Sequence, residues 1–467
     1  MTKQVHSFDL VIIGGGPGGY VAALRAAQLQ LRTALVERES LGGICLNWGC
    51  IPTKALLHSA DTLRRIRHAG AQGITVSEPQ VDFGKVVARS RQVSQRLNRG
   101  VAHLLKKAGV TVFMGSAALQ PDKQVQVTDA RGQQQLLQAG HVIAATGARA
   151  RELPMLPFDG DRVWNYREAL AAKALPQSLV VIGAGAIGME FASFYATLGT
   201  QVTVVEAAPR VLPACDEDVS TFVQQGMARD GIRFLTGAKL LTGQVQADGV
   251  QLTVEQNGEP LQLRAERVLV AVGLVGNSEG LGLEQTRVVV DQGLIQVGDW
   301  GETAEPGLYA IGDITGAPML AHKASHEGIA CVEHIAGLRS GAQHHAPIPA
   351  CVYSHPQSAS VGLTEAQARQ SGAKVRIGKF PLEGNGKAIA IDEAAGFIKT
   401  VFDEGTGELL GAHIAGPEAT ELVHGYTLAA TLEATEADLM ETIFPHPTLS
   451  EAMHEAVLAA YGRALHI

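Results

Sequence analysis

Phe8-Asp-Leu-Val-Ile-Ile13-Gly14-Gly-Gly16-Pro-Gly-Gly19, then the alanine-rich stretch 20–29 and Thr33-Ala-Leu-Val-Glu37, decide the fold. An apolar run closed by glycine reads as a buried strand, Gly14-x-Gly16-x-x-Gly19 as a tight turn opening a helix, and 33–37 as a second strand ending in an acid. The phrase returns as Leu179-Val-Val-Ile182-Gly183-Ala-Gly185-Ala-Ile187-Gly188, with a helix through 198 and the strand Gln201-Val-Thr-Val-Val-Glu206. In both copies the acid falls 18 residues after the last glycine. The first glycine makes the turn, the second lets a pyrophosphate approach the backbone, and the third lets helix pack on strand. The helix N-terminus supplies free N–H groups, and the acid accepts a ribose 2′-hydroxyl. Two dinucleotide sites are expected, one on Gly14, Gly16, Gly19 and Glu37, the other on Gly183, Gly185, Gly188 and Glu206. Glu206 would repel a 2′-phosphate and Arg210 is the nearest cation, so NAD is favoured over NADP.

The chain has 467 residues, 46% hydrophobic and 18% charged, with net charge −8. That length allows about three domains. The acidic balance gives no footprint for nucleic acid or an anionic membrane. Apolar charge-free runs such as 179–189 fall short of the ~18 residues a membrane helix needs. The first strand begins within a few residues of Met1, so no signal peptide and a cytoplasmic location are expected. Five cysteines in such a chain are no secreted disulfide framework, and Cys215, Cys331 and Cys351 read as small buried hydrophobes. From about 347 the pattern changes to strands at 350–353, 396–402 and 409–415 and helices at 418–432 and 450–465, which suggests an α+β domain.

Gly42-Gly-Ile-Cys45-Leu-Asn-Trp-Gly-Cys50-Ile-Pro-Thr-Lys54 holds the remaining two cysteines. Five residues of helix rise ~7.5 Å, beyond the ~7 Å Cα limit of an unstrained disulfide. A bond between them requires 45–49 to leave the helix, and Gly42, Gly43 and Gly49 provide the freedom. Lys54 follows Cys50 by four residues, on the same face of a helix. Two unrelated buried cysteines are the alternative, but the position just after a dinucleotide fold favours a redox pair.

In Phe444-Pro-His446-Pro447-Thr-Leu-Ser-Glu451, the following proline keeps His446 out of a helix. Thr448 to Glu451 also reads as a capping box, so spacing leaves Glu451 open between capping and function. His322 and His326 have a metal-pair spacing without a third ligand, His344-His345 reads as a solvated loop, and no metal is expected.

Together these motifs resemble the pyridine nucleotide–disulfide oxidoreductase family over essentially the whole length. Within it, the 42–54 stretch is most similar to members that oxidise protein-bound dihydrolipoyl groups with NAD+. The resemblance implies an α/β fold of two Rossmann-like dinucleotide-binding domains plus a C-terminal α+β dimerisation domain. It places FAD on 1–149 and 277–346, NAD on 150–276, and the interface on 347–467. FAD is implied at Gly14, Gly16, Gly19, Glu37, Cys45, Lys54, Gly115, Thr146, Gly147, Asp313 and Ala321. NAD is implied at Gly183, Gly185, Ile187, Gly188, Glu206 and Gly273. Cys50 is implied to face the flavin and Cys45 the substrate, with Lys54 near the flavin and paired with Glu190. His446 is implied as acid/base, oriented by Glu451 and reaching the site of the other subunit of a homodimer. The implied partner is a lipoyl-bearing acyltransferase or carrier protein of a 2-oxo acid dehydrogenase complex or the glycine cleavage system. One departure is Leu274-Val275-Gly276-Asn277, where the family has Arg-x-Pro-Asn. A glutathione-type reductase would need arginines in place of Glu206, and a mercuric reductase a C-terminal cysteine pair. A redox-inactive assembly subunit would have no need of the intact Cys45, Cys50, Lys54, His446 and Glu451.

Overall fold

The structure, a computed structural model, describes residues 5–342 and 346–467. His344 and His345 lie outside the described residues. The chain forms two compact units: one runs up to Leu56 and adds Asp82–Arg151 and Gly273 onward to 342, and the other comprises Leu57–Val81, Glu152–Val272 and 346–467.

In the first unit, Val5–Ile13 is flanked in parallel by Thr33–Glu37 and Gln134–Ala144. Thr111–Met114 and Leu308–Ala310 extend the parallel sheet, and the hairpin Ser116–Gln120 with Gln124–Thr128 joins it antiparallel. Alternation sends Leu10, Ile12 and Leu35 to the face covered by Ala22, Ala23 and Ala26 of the helix Pro17–Gln28. Val11, Ile13, Ala34 and Val36 face the other way, against Leu119, Val125 and Leu137. Burial on both faces explains why these strands read as unbroken apolar runs. Strand order reverses at Val5–Ile13, so a crevice opens at the carboxyl ends beside Gly14, where α/β sheets bind ligands.

The second unit repeats this plan. Ser178–Ile182 lies between Gln201–Glu206 and Arg267–Val270, and Arg233–Thr236 and Val163–Trp164 complete a parallel sheet. A three-stranded antiparallel sheet spans Ala238–Gln246, Gly249–Gln256 and Glu259–Ala265. The C-terminal sheet is antiparallel, in the order Ala350–Val352, Ser358–Gly362, Leu409–Ala415, Phe397–Asp403, Val375–Pro381. The helices Ala419–Thr431 and Glu451–Ala460 cover it.

Two of these strands carry no alternation that the sequence pattern could register. Ser358–Gly362 is built of small residues. Val375–Pro381 is interrupted by Gly378, where a Cβ would lie 2.0 Å from the Ala456 carbonyl oxygen, so the helix Glu451–Ala460 requires a glycine beneath it. That helix ends at Ala460 rather than 465, and Gly462 turns the chain away with φ +66°.

Inside the second unit, Lys399 is 4% exposed and meets Asp216 at 2.9 Å, Asp218 at 2.8 Å and Glu365 at 2.8 Å. Asp216 caps the helix Glu217–Arg229, so this one ammonium ties a helix start to the C-terminal sheet. Among the described residues no helix is long and apolar enough to cross a membrane.

Candidate active site

The two glycine turns have the same construction. Gly14 (φ +110°) and Gly183 (φ +102°) each donate to the carbonyl of the neighbouring strand, at Val36 and Val205, both at 2.8 Å. At Gly19 and Gly188 a Cβ would fall 1.8 Å and 2.0 Å from the carbonyl oxygens of Gly14 and Gly183, so helix and turn touch there. The middle glycines differ. Gly16 and Gly185 are the N-caps of Pro17–Gln28 and Ala186–Thr197, without a side-chain cap. The space a Cβ would take at Gly185 is empty to 4 Å, and at Gly16 its nearest neighbour is 3.9 Å away. Uncapped N–H groups facing open space fit a pyrophosphate. Ile187 stands half-buried in the first turn of the second helix.

Each acid is held in the same way. Glu37 accepts the Gly15 N–H (2.8 Å) through one oxygen and the Glu39 N–H (2.7 Å) through the other. Glu206 accepts those of Ala184 (2.6 Å) and Ala208 (2.7 Å). Each carboxylate is thereby fixed at its strand end, with the remaining lone pairs available to a ribose. Arg210 is engaged by Glu217 at 3.7 Å.

Cys45 lies in the helix Gly43–Trp48, which Gly42 starts in the left-handed region (φ +86°). Gly49, at φ −146° and ψ −116°, breaks the path, and Cys50 opens the next helix, Cys50–His68. The expected departure from a continuous helix thus falls on Gly49. Cys45 and Cys50 are brought into hydrogen-bond contact. That bond and then burial push the Cys45 thiol far above its ordinary range, while the charge of Lys54 works against the shift. Cys50, at the start of a helix, has the placement that favours a thiolate.

Asp313 sits in the turn Gly312–Thr315, and burial raises its pKa against the pull of Lys323. Glu327 pins that turn by accepting the Gly312 N–H at 2.8 Å and pairing with Lys323 at 2.8 Å. Ala321 is the first residue of the helix Ala321–Ile335, which carries the exposed His322 and His326. Among the described residues no three His, Cys, Asp or Glu side chains are placed to hold a metal ion. Gly115 donates to the Glu37 carbonyl at 2.8 Å, beside the first acid.

The departing loop forms a strand. Gly273 (φ +111°) leads into Leu274–Gly276, which pairs antiparallel with Ala148–Ala150. Arginines come from the facing strand and its end: Arg151 reaches the Leu274 carbonyl at 3.3 Å, and Arg149 the Gly276 carbonyl at 3.2 Å. Asn277 then clips the crossing. Its N–H donates to the Gly147 carbonyl and its amide to the Thr146 carbonyl, while its own carbonyl accepts the Thr146 hydroxyl, all at 2.9 Å.

In the second unit, Glu190 is buried and accepts the Tyr353 N–H at 3.0 Å. His446 is 77% exposed with its Nδ1 at 2.9 Å from Glu451 Oε1. Glu451 Oε2 accepts the Thr448 N–H at 2.9 Å. The Thr448 hydroxyl donates instead to the Pro445 carbonyl, and Ser450 is the N-cap, so only half of the expected capping box forms. Burial raises the Glu451 pKa, but the Thr448 N–H and His446 overcome this and hold it below the ordinary range. Cys45, Cys50, Lys54 and Asp313 therefore gather in the first unit, and His446 with Glu451 in the second. Two residues of the helix Phe83–Lys107, Arg91 and Asn98, take part in these supports without any motif to mark them.

Residues 8–328 match the family described as pyridine nucleotide-disulphide oxidoreductase, and 348–457 match its dimerisation domain. A dihydrolipoyl dehydrogenase of Zymomonas mobilis is 52% identical over 98% of this chain and 99% of its own length. Another, of Rhizobium etli, is 48% identical over 99% and 100%. The crystal structure of LpdA from Mycobacterium tuberculosis superposes with TM-score 0.90 at 28% identity, covering 97% of this chain and 99% of that one. The chain belongs to the pyridine nucleotide-disulphide oxidoreductase family.

Proposed function

We propose that the chain oxidises protein-bound dihydrolipoyl groups to lipoyl disulfide and reduces NAD+, as the flavoprotein component of a 2-oxo acid dehydrogenase complex or the glycine cleavage system. The observation that carries this reading is Cys45 and Cys50 in hydrogen-bond contact across the Gly49 break, beside Lys54 and Asp313. The names of the full-length relatives support the substrate class. FAD, on 1–149 and 277–346, supplies when bound the electron relay from the cysteine pair to NAD on 150–276.

Cys45 is the substrate-side sulfur. His446, held by Glu451, takes the proton of an incoming dithiol. The substrate thiolate attacks Cys45, and Cys50 leaves as a thiolate, favoured by its helix start and by Lys54. The second substrate thiol then displaces Cys45 and passes its proton to the Cys45 sulfur, while the first proton stays on His446, so two electrons and two protons are left on the protein and a lipoyl disulfide departs. Glu37, Gly115, Thr146, Gly147, Asp313 and Ala321 bind FAD, and Glu206, Ile187 and Gly273 bind NAD. Residues 347–467 form the homodimer interface and bring His446 to the partner subunit's disulfide. The lipoyl-bearing partner supplies the dithiol, and five cysteines in a chain of this length, too sparse for a secreted disulfide framework, suit a cytoplasmic setting.

Assaying the FAD-loaded protein with dihydrolipoamide and NAD+, against glutathione disulfide or mercuric ion with NADPH, tests the reading. Turnover confined to the first pair supports it. Preference for the second, or no thiol chemistry with any pair, overturns it.

A further inference from the structure

Gly43–Trp48 is a helix of six residues, too short to persist in water unaided. A disulfide to Cys50 would fix Cys45, but in the dithiol state only non-covalent contacts hold this helix. Asn47 Nδ2 donates to the Leu41 and Gly43 carbonyls, both at 2.9 Å, Leu46 packs into the core, and further contacts come from the long helix Phe83–Lys107. Asn98 Nδ2 donates to the Leu41 carbonyl at 2.6 Å, and Arg91 Nη2 donates to the Asn47 carbonyl at 2.5 Å. The Arg91 guanidinium also lies 4.3 Å from the centroid of Trp48, whose Nε1 donates to Glu39 at 3.0 Å.

Asn47 is the penultimate residue of the Cys45 helix. Carbonyls there lack intrahelical partners, and the negative end of the helix dipole favours a cation. Arg91 supplies both the donor and the charge, and stacks on the last side chain of the helix. Among the described residues its buried Nη1 has no hydrogen-bond partner, and burial leaves the guanidinium partly desolvated at this spot.

We propose that Arg91 is a positioning residue for the redox pair, holding the Cys45 helix within reach of Cys50 whenever the disulfide is open. This rests on reading Cys45 and Cys50 as that pair. Disulfide formation depends on the effective concentration of one sulfur at the other. Without Arg91 the short helix can fray in the dithiol state but not in the disulfide state, so the equilibrium moves toward dithiol. In a lipoamide buffer, dihydrolipoamide gives two electrons and two protons to the cysteine pair and becomes the cyclic disulfide.

The test equilibrates FAD-loaded protein in dihydrolipoamide/lipoamide buffers of set ratio, alkylates free thiols, and reads the dithiol fraction from the chain mass. Arg91→Met should move the midpoint ratio about three- to tenfold toward dithiol, about 15 to 30 mV for a two-electron couple. Arg91→Lys, with the charge but not the planar fork, should recover part of this shift. A lowered melting temperature with an unmoved midpoint would make Arg91 a packing residue and overturn the proposal, as would a shift toward disulfide. If Arg91→Met yields no folded, FAD-loaded protein, Arg91→Gln is held to the same criterion. Failure of the wild-type protein to take up electrons at Cys45 and Cys50 would instead sink the redox reading, which separates the two failures.

Discussion

Glu451 divides its carboxylate between His446 and the backbone: Oε1 meets His446 Nδ1 at 2.9 Å, while Oε2 takes the Thr448 N–H at 2.9 Å. Orienting the imidazole and supporting the helix start are therefore simultaneous roles of one side chain. His446→Gln should lower dihydrolipoamide turnover by ~10² to 10⁴ and leave NADH oxidation by an artificial acceptor nearly intact. Near-normal dithiol turnover in that variant would refute the base assignment.

Glu451→Ala should act on both roles, lowering stability by about 1 kcal/mol through the lost helix-start interaction and dithiol turnover by less than His446→Gln does. The Glu451 pKa is held below its ordinary value, so its stabilising contribution is present above the unfolded carboxylate pKa and lost as pH falls through the lower folded one. A melting-temperature change with no change in the pH–rate profile would leave capping as its whole role.

Lys399 offers a prediction about stability alone. Removing the ammonium in Lys399→Ala strands Asp216, Asp218 and Glu365 together, and breaking such a buried arrangement costs about 3 to 5 kcal/mol. The three carboxyls are held below their ordinary range, with Lys399 as a cause in each case, so the stabilisation should vanish as pH falls through those lowered values. Thermal unfolding from pH 7 to pH 3 checks this: the gap between wild type and Lys399→Ala should narrow on acidification, and a constant gap would contradict it.

Cofactor choice should follow Glu206. The double change Glu206→Ala with Ala207→Arg removes a repulsive carboxylate and offers an exposed cation, relaxing NAD+ preference over NADP+ by about tenfold or more. It should also raise KM for NAD+, because the Ala184 and Ala208 N–H groups lose the acceptor that fixes the turn. Steady-state kcat/KM with both nucleotides decides, and an unmoved ratio would place selection elsewhere.

The glycine turns and the strands Thr33–Glu37 and Gln201–Glu206 were legible because burial on both sheet faces and the turn requirements write directly into residue type. The break at Gly49 was legible for the same reason. Val375–Pro381 was hidden because Gly378 answers to a helix more than 70 residues away in the chain. Arg91 was hidden because its hydrogen bond goes to a backbone group far along the chain, which leaves no local spacing to read. Asn277 was legible only as the retained end of the Arg-x-Pro-Asn pattern, and its bonds to Thr146 and Gly147, equally distant in the chain, were not. The capping box was half right: spacing predicted the Glu451 to Thr448 bond, but the Thr448 hydroxyl found a nearer acceptor at Pro445.

The division of labour between Cys45 and Cys50 is most directly tested by the long-wavelength absorbance of the FAD-loaded, oxidised serine variants. With Cys45→Ser, Cys50 should remain as a lone thiolate beside the flavin and give a charge-transfer band without added reductant. With Cys50→Ser the band should be absent, and both variants should lose dihydrolipoamide turnover. A band in Cys50→Ser but not in Cys45→Ser would reverse the assignment, and no band in either would contradict the placement of a cysteine thiolate at the flavin.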